Sequence, residues 1–213
     1  MEEISDIEKK IQLEKGIELF KKKCDFVLSV ASLKQLPADD KVEVAFAGRS
    51  NVGKSSLINA LFRQKKLAKT SATPGRTQQL NYFNLDDKMY LVDLPGYGFA
   101  KAPKEMVKSW QKLINTYLVG RASLRRVFLL IDSRHGIKKV DEEIMDMLDQ
   151  AAVTYQIVLT KIDKISEKEL EKIIYATDKI VEKHTAAHVR VLKTSSEKSL
   201  YLDDLKAEVA SLL

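Results

Sequence analysis

Apolar residues recur along this chain at two periods, and the changes between them mark out the elements. Ile4, Ile7 and Ile11 stand at helical spacing within residues 3–23, which predicts an amphipathic helix ending in Lys21, Lys22 and Lys23, favourable against the helix dipole. Phe26–Val30 reads as a short strand, with a turn over Pro37 to Asp40. Val42–Ala47 is an apolar run that reads as a buried strand stopping at Gly48, and helical spacing resumes at Leu57, Ile58 and Leu61. Arg63–Arg76 has no period, contains Thr73-Pro74-Gly75 and reads as a long mobile loop. Leu80–Leu85 and Met89–Asp93 flank Asp86-Asp87 as an antiparallel hairpin. Lys104–Val119 reads as a helix with Met106, Trp110, Leu113 and Tyr117 as its inner stripe. Beyond it, strands at Val127–Asp132, Tyr155–Thr160 and Val189–Lys193 alternate with helices at Asp141–Ala151, Ser166–Lys183 and Leu200–Leu213.

That βαβα order predicts an α/β domain: a mostly parallel central sheet with one antiparallel edge strand and helices on both faces. Neither an internal repeat nor a linker interrupts it. Residues 38–213 are read as the main domain, and residues 1–37 as a helical and strand extension packed on it.

The eight residues Gly48–Ser55 spell G-x-x-x-x-G-K-[ST] between a strand and a helix, the context a phosphate loop requires. Glycines let backbone N–H groups turn toward phosphates, and the helix N-terminus adds partial positive charge. Lys54 would reach the β- and γ-phosphates, and the Ser55 hydroxyl would ligate Mg²⁺. Asp93-x-x-Gly96 supplies a carboxylate to hold Mg²⁺ through water and a Gly96 N–H for the γ-phosphate. Thr77 is the candidate to complete the Mg²⁺ shell, although Thr70 and Thr73 lie nearby and a plain turn residue is the alternative. Thr160-Lys161-Ile162-Asp163 follows a strand end and separates guanine from adenine. One carboxylate, Asp163, can accept both N1–H and the N2 amine of guanine, and adenine would leave it unpaired. The Lys161 stem can cover the base face. Thr194-Ser195-Ser196, after the last strand, supplies a short loop whose backbone N–H meets guanine O6.

Composition narrows the setting. At 213 residues, 45% hydrophobic and 31% charged, the chain is in the range of soluble globular proteins. The single cysteine, Cys24, excludes an intrachain disulfide and a Cys-rich zinc site. The charged N-terminus is no secretory signal, and the longest apolar run, Val127–Ile131, is too short to span a bilayer, so a cytoplasmic protein without membrane insertion is expected. The net charge of +6 is unevenly placed. Gly48–Leu85 holds seven Lys or Arg and no acid, and Lys101–Arg126 holds seven against Glu105 alone. An RNA-rich partner facing one electropositive side is the expectation, because one nucleotide needs only one or two of these cations.

Taken together, GRSNVGKSSLINAL at 48–61, TPGRTQ at 73–78, DLPGYGFA at 93–100, TKID at 160–163 and TSS at 194–196 resemble the EngB-type bacterial GTPases of the TrmE–Era–EngA–EngB group. Phe26–Pro37 and Asp132–Gly136 also look like this family. The resemblance implies a three-layer P-loop GTPase domain that binds GTP and GDP with Mg²⁺ and hydrolyses GTP slowly. It further implies a role in assembling the large ribosomal subunit, through the subunit or its rRNA, and a requirement for normal division and septation. Carried over residue by residue, the nucleotide contacts fall on Gly48, Arg49, Ser50, Asn51, Val52, Gly53, Lys54 and Ser55. They continue on Gly75, Arg76, Thr77, Gln78 and Gln79, on Asp93, Leu94, Pro95 and Gly96, and on Thr160, Lys161, Ile162, Asp163, Thr194, Ser195 and Ser196. Ser55 and Thr77 would touch Mg²⁺ directly and Asp93 through water, while Lys54, Thr77, Gly96 and Asn51 would carry the reaction.

Small signalling GTPases place a water-orienting glutamine directly after the DxxG glycine, and this chain has Tyr97 there. Slow intrinsic turnover follows, with dependence on a partner or an ion. In related GTPases an asparagine at the position of Asn51 helps ligate K⁺; the plainer reading is that Asn51 shapes the loop. Arg76 fits an RNA contact better than stabilisation of transition-state charge. Tyr97 and Phe99, in a glycine-flanked loop, are expected to meet a partner. His135 could touch RNA or a loop, Trp110 is read as core, and His184 and His188 show no carboxylate pattern for a metal. A monomeric GTPase switch leads this reading. A nucleotide-sensing module of the division machinery is the alternative, and a GTPase of RNA modification ranks last because the extra domain such enzymes need is absent.

Overall fold

β2 (Val42–Gly48) is buried along almost its whole length, because both of its faces and both of its edges are covered. In the computed structural model, which describes residues 2–64, 67–68, 79–98 and 114–213, it lies at the centre of a seven-stranded sheet. The order is β1-β3-β4-β2-β5-β6-β7, with β1 at Cys24–Val30, β3 at Leu80–Leu85, β4 at Met89–Asp93, β5 at Leu124–Asp132, β6 at Tyr155–Thr160 and β7 at Leu192–Lys193. β2 pairs in parallel with β4 and β5, and β6 continues the parallel run to β7. β3 runs against both β4 and β1, so the antiparallel pairing sits at the β1 edge.

Side-chain alternation along the central strands sorts the core into two layers. Val44, Phe46, Phe128, Leu130 and Val158 face α2 (Lys54–Leu61), α6 (Leu202–Ala210) and the end of α1 (Glu2–Phe20). Ala45, Ala47, Val127, Leu129, Ile131, Ile157 and Leu159 face α3 (residues 114–120), α4 (Lys139–Gln150) and α5 (Glu167–Val181). Helices on both faces of a mostly parallel sheet give the three layers expected from the sequence.

α1 packs differently from its expected stripe. Ile7 and Ile11 are exposed, and the helix is buried instead at Gly16, Leu19 and Phe20. Gly16 is where it crosses α6: a Cβ there would stand 2.4 Å from the Ala207 backbone nitrogen. The isoleucine period is a true helix signal, but among the described residues nothing buries Ile7 or Ile11.

β7 is also shorter than its apolar pattern. Val189 is 84% exposed, and the segment before Leu192 is held by scattered contacts rather than a ladder, among them His188 N–H to the Tyr155 carbonyl at 2.7 Å, Gln156 Nε2–H to the Arg190 carbonyl at 3.0 Å and Arg190 to Asp204 at 3.1 Å.

Two of the basic residues counted in Lys101–Arg126 are internal ties. Glu43, fully buried on β2, accepts from Tyr117 at 3.0 Å and from Arg121 Nε at 2.9 Å, and Arg121 also donates to the carbonyls of Pro37 and Ala38. Arg126 bonds Gln156 at 2.9 Å and Glu208 at 2.7 Å. His184 likewise has a carboxylate neighbour that the sequence did not show, because it comes from α4: Nδ1–H donates to Asp149 Oδ2 at 2.7 Å. Asp149 Oδ1 accepts the Ala186 N–H at 2.9 Å, so the pair closes the turn after α5.

Candidate functional site

The phosphate loop begins where β2 can no longer carry a side chain. A Cβ on Gly48 would meet Val52 Cγ1 at 2.8 Å and the Leu130 carbonyl at 3.0 Å, so only glycine lets the loop lie this close to β5. Two left-handed positions, Asn51 at φ 65° and Gly53 at φ 104°, then curl the backbone into a concave turn. The Val52 N–H closes it onto the Arg49 carbonyl at 3.1 Å, and Leu57 N–H to Gly53 carbonyl at 2.8 Å starts α2. Lys54 and Ser55 therefore sit in the first turn of that helix, beside N–H groups with no partner inside it.

Asp93 ends β4 next to this turn, and Lys54 forms an ion pair with its carboxylate. The group expected to reach the phosphates and the group expected to hold Mg²⁺ are thus in direct contact. The chain leaving Asp93 lies flat on the phosphate loop. Leu94 N–H donates to the Phe46 carbonyl at 3.0 Å, Ser50 N–H to the Tyr97 carbonyl at 3.0 Å, and Tyr97 N–H to the Gly48 carbonyl at 3.3 Å. Gly96 sits within this contact; a Cβ on it would come within 3.2 Å of the Ser50 nitrogen.

Tyr97 corrects the sequence reading. It is 4% exposed, packs in the apolar layer with Leu94 and Leu148, and donates its hydroxyl to Asp141 Oδ1 at 2.8 Å. An aromatic in a glycine-flanked loop looked partnerless because its acceptor lies 44 residues away on α4. Burial, with the negative charge of Asp141 alongside, pushes its phenol well above the usual tyrosine range.

The base side is built from the ends of β5, β6 and β7. Thr160 Oγ donates to the Val52 carbonyl at 2.8 Å, fastening β6 to the phosphate loop. Lys161, in the left-handed region at φ 59°, donates to the Asn51 carbonyl at 2.6 Å and to Asp132 Oδ2 at 2.9 Å. Ser195 Oγ donates to Asp163 Oδ1 at 2.5 Å, and this bond is the main reason the Asp163 carboxyl lies below the usual range. Asp163 Oδ2 is buried without a hydrogen bond, 3.3 Å from the Lys164 ammonium. Ile162 N–H donates to the Thr194 carbonyl at 3.3 Å, which joins the Thr160–Asp163 turn to the Thr194–Ser196 loop. A negatively charged acceptor therefore lies two residues beyond Lys161, whose ammonium is tied to the phosphate loop.

A family model described as a 50S ribosome-binding GTPase matches residues 43–161. Proteins called probable GTP-binding protein EngB are similar over nearly the whole chain. That of Hyphomonas neptunium is 56% identical over 203 residues, covering 94% of this chain and 92% of its own. That of Cereibacter sphaeroides is 54% identical over 199 residues, covering 93% and 92%. The chain belongs to the EngB family of GTP-binding proteins. It is a P-loop GTPase. Solved structures agree on the fold. A probable GTP-binding protein EngB superposes with a TM-score of 0.65 at 22% identity, covering 80% of this chain and 98% of that one. A single-residue variant of Aquifex aeolicus Era, bound to GDP and AlF4⁻, gives 0.65 at 27%, covering 81% and 57%.

Within this chain the structure brings together Gly48–Ser55, Asp93–Gly96, Thr160–Asp163 and Thr194–Ser196, and puts Gln79 just before β3. Gly75, Arg76, Thr77 and Gln78 lie outside the described residues, as do Phe99 and Trp110. Two residues with clear places at the site had no role in the sequence reading. Asp132 holds Lys161 and Asp141 holds Tyr97. Asp132 alone left a signal, a carboxylate at a strand end inside the quoted Asp132–Gly136 segment.

Proposed function

We propose that this GTPase is a Mg²⁺-dependent switch in assembly of the large ribosomal subunit, needed for normal division and septation and acting as a cytoplasmic monomer. The observation that carries the switch is the contact between the Asp93–Gly96 segment and the phosphate loop. A γ-phosphate seated between Lys54 and the Gly96 N–H would bear on both at once, so its loss would release one from the other. GTPases generally use Mg²⁺, and the donors here fit a hard cation: the Ser55 hydroxyl, the Asp93 carboxylate and, by expectation, Thr77. Bound Mg²⁺ would neutralise charge on the phosphate oxygens. Lys54 would bind the β- and γ-phosphates, Asp163 would accept from guanine, and Lys161 would cover the base.

The Tyr97 hydroxyl is committed to Asp141, so the position after Gly96 offers no side chain to orient water. That supports slow intrinsic turnover; K⁺ at Asn51 is proposed as the accelerating ion. The ribosomal assignment is supported by the family description over residues 43–161 and by the basic run from Gly48 to Leu85. A solved Era structure, 26% identical with a TM-score of 0.63 and covering 81% of this chain and 56% of that one, is a complex with MgGDPNP and nucleotides of 16S ribosomal RNA. Among the described residues no helix is long and apolar enough to cross a membrane. Co-sedimentation with purified ribosomal subunits in GTP, GDP and no nucleotide tests the assignment. GTP-dependent association with the large subunit is expected; none at any salt between low and physiological would sink it.

A further inference from the structure

One buried carboxylate joins three segments that are distant in sequence. Asp141, in the first turn of α4, is fully buried. Its Oδ1 accepts the Tyr97 hydroxyl, and its Oδ2 accepts the Lys138 N–H at 2.8 Å and stands 3.5 Å from Arg49 Nε. Arg49 Nε is itself buried and makes no hydrogen bond, so Asp141 is its electrostatic partner at a distance. Burial raises the Asp141 pKa, opposed by the Lys138 N–H, Tyr97 and Arg49. Arg49 directly follows Gly48 and Tyr97 directly follows Gly96, so the carboxylate grips the first residue of each loop beyond its glycine.

We propose that Asp141 is a positioning residue for GTP recognition and hydrolysis. By holding Tyr97 and Arg49 it fixes the Gly96 amide against the phosphate loop, and thereby favours GTP over GDP. This rests on Gly96 being the donor to the γ-phosphate. The apolar seat of Tyr97 does not need the hydroxyl, because Leu94, Pro95, Tyr97, Ile144 and Leu148 line one small cleft between the loop and α4. What the O–H adds is direction. Without it, a buried carboxylate keeps one N–H donor and a guanidinium 3.5 Å off, and moving toward that guanidinium pulls on the entry to the phosphate loop. Gly98, at φ 76° with a Cβ position 3.5 Å from Arg49 Cγ, lies against the same guanidinium stem. The cost falls where both loops must meet one phosphate, which is the GTP state.

The test uses the full chain as wild type, Tyr97→Phe, Asp141→Ala and the double variant. Affinities for GDP and for a non-hydrolysable GTP analogue are measured beside single-turnover GTP hydrolysis. Tyr97→Phe should keep GDP affinity within about twofold, while analogue affinity and turnover fall about tenfold, the scale of one hydrogen bond to a charged group. In the Asp141→Ala background the same change should add nothing. If Asp141→Ala does not fold, Tyr97→Phe decides alone. Equal loss for GDP and analogue, or a wild-type ratio and rate in Tyr97→Phe, overturns the proposal. A wild-type chain that binds GTP without the Gly96 segment responding to the γ-phosphate, seen as identical protease protection in GDP and analogue, overturns the reading beneath it instead.

Discussion

Lys161 donates to Asp132 Oδ2 at 2.9 Å while the same ammonium reaches the Asn51 carbonyl at 2.6 Å. The side chain is therefore tied at its head, and its left-handed backbone fixes its root. Its stem runs past Gly53, where a Cβ would stand 3.6 Å from Lys161 Cε. A lysine stretched in this way offers apolar methylenes to a base without the entropy loss of ordering them on binding. Asp132 is only 4% exposed and is gripped from its other side by Arg134, at 2.9 Å from Nε and 2.7 Å from a terminal nitrogen.

Asp132→Asn keeps an acceptor but removes the charge that holds Lys161. Guanine-nucleotide affinity should fall about tenfold, since a charge-assisted bond of this kind is worth about 1.5–3 kcal/mol. GDP and GTP should lose equally, because the base and not the phosphate is affected. Release of a fluorescent GDP reads the effect, and an unchanged release rate would show that Lys161 needs no tether.

The same carboxylate sets a pH dependence. Burial disfavours its charged form, but hydrogen bonds from Arg134 and Lys161 outweigh that and hold the Asp132 carboxyl well below its ordinary range. The folded chain therefore binds this proton less tightly than the unfolded one. Its contribution to stability is present above the ordinary carboxylate pKa of about 4 and is lost as pH falls toward the depressed folded value. Asp132→Asn should lower the Tm more at pH 7 than in acid below about pH 4. Thermal melts across that window check it, and a drop that does not depend on pH counts against the assignment.

What the sequence made legible was whatever is written in consecutive residues. β3, β4 and β6 lie where their patterns end, because turn residues and a buried alternation bound them on both sides. The turns at Gly48–Ser55, Asp93–Gly96 and Thr160–Asp163 carry their chemistry within eight residues or fewer, so their meeting could be expected. Contacts made by a strand end with a distant helix could not. Asp141 reads as one acid in the run Asp141-Glu142-Glu143, and only the fold shows that it alone is buried beneath Tyr97. Arg121 and Arg126 counted as surface charge for the same reason, although Glu43 and Glu208 take them up.

Gly16 illustrates a residue whose importance the local pattern hides. Helix propensity favours alanine there by about 1 kcal/mol. A Cβ, however, would stand 2.6 Å from both Ala207 Cα and the Lys206 carbonyl carbon, and backbone on both sides cannot yield cheaply. Gly16→Ala should therefore destabilise the chain, by about 1–3 kcal/mol on the scale of overpacked cores. Urea unfolding measures it. A more stable variant would mean that α1 does not rest on α6.

Asn51 offers its exposed side chain at the rim of the phosphate loop, while its carbonyl is already held by Lys161. If that side chain ligates K⁺, hydrolysis should be faster in KCl than in NaCl at matched ionic strength, and Asn51→Ala should remove the difference. Equal rates in the two salts would leave Asn51 as a residue that shapes the loop through its left-handed backbone at φ 65°.

Base choice turns on the two oxygens of Asp163. Oδ1 accepts the Ser195 hydroxyl at 2.5 Å, and that bond favours the ionised form, so the group is an acceptor on both oxygens throughout the neutral range. Guanine presents two adjacent donors, N1–H and the N2 amine, and a carboxylate can take both. Asp163→Asn keeps an oxygen for Ser195, so the loop should hold its shape, but it turns an NH2 toward the N2 amine of guanine. The mismatch leaves two donors facing each other, and hydrogen-bonded discrimination of this kind reaches roughly 10⁴-fold or more. The variant should lose GTP and gain xanthosine triphosphate, whose ring carries an acceptor where guanine has the amine. Competition between the two nucleotides for the fluorescent-GDP site decides it, and a variant that still prefers GTP would mean that guanine is read elsewhere.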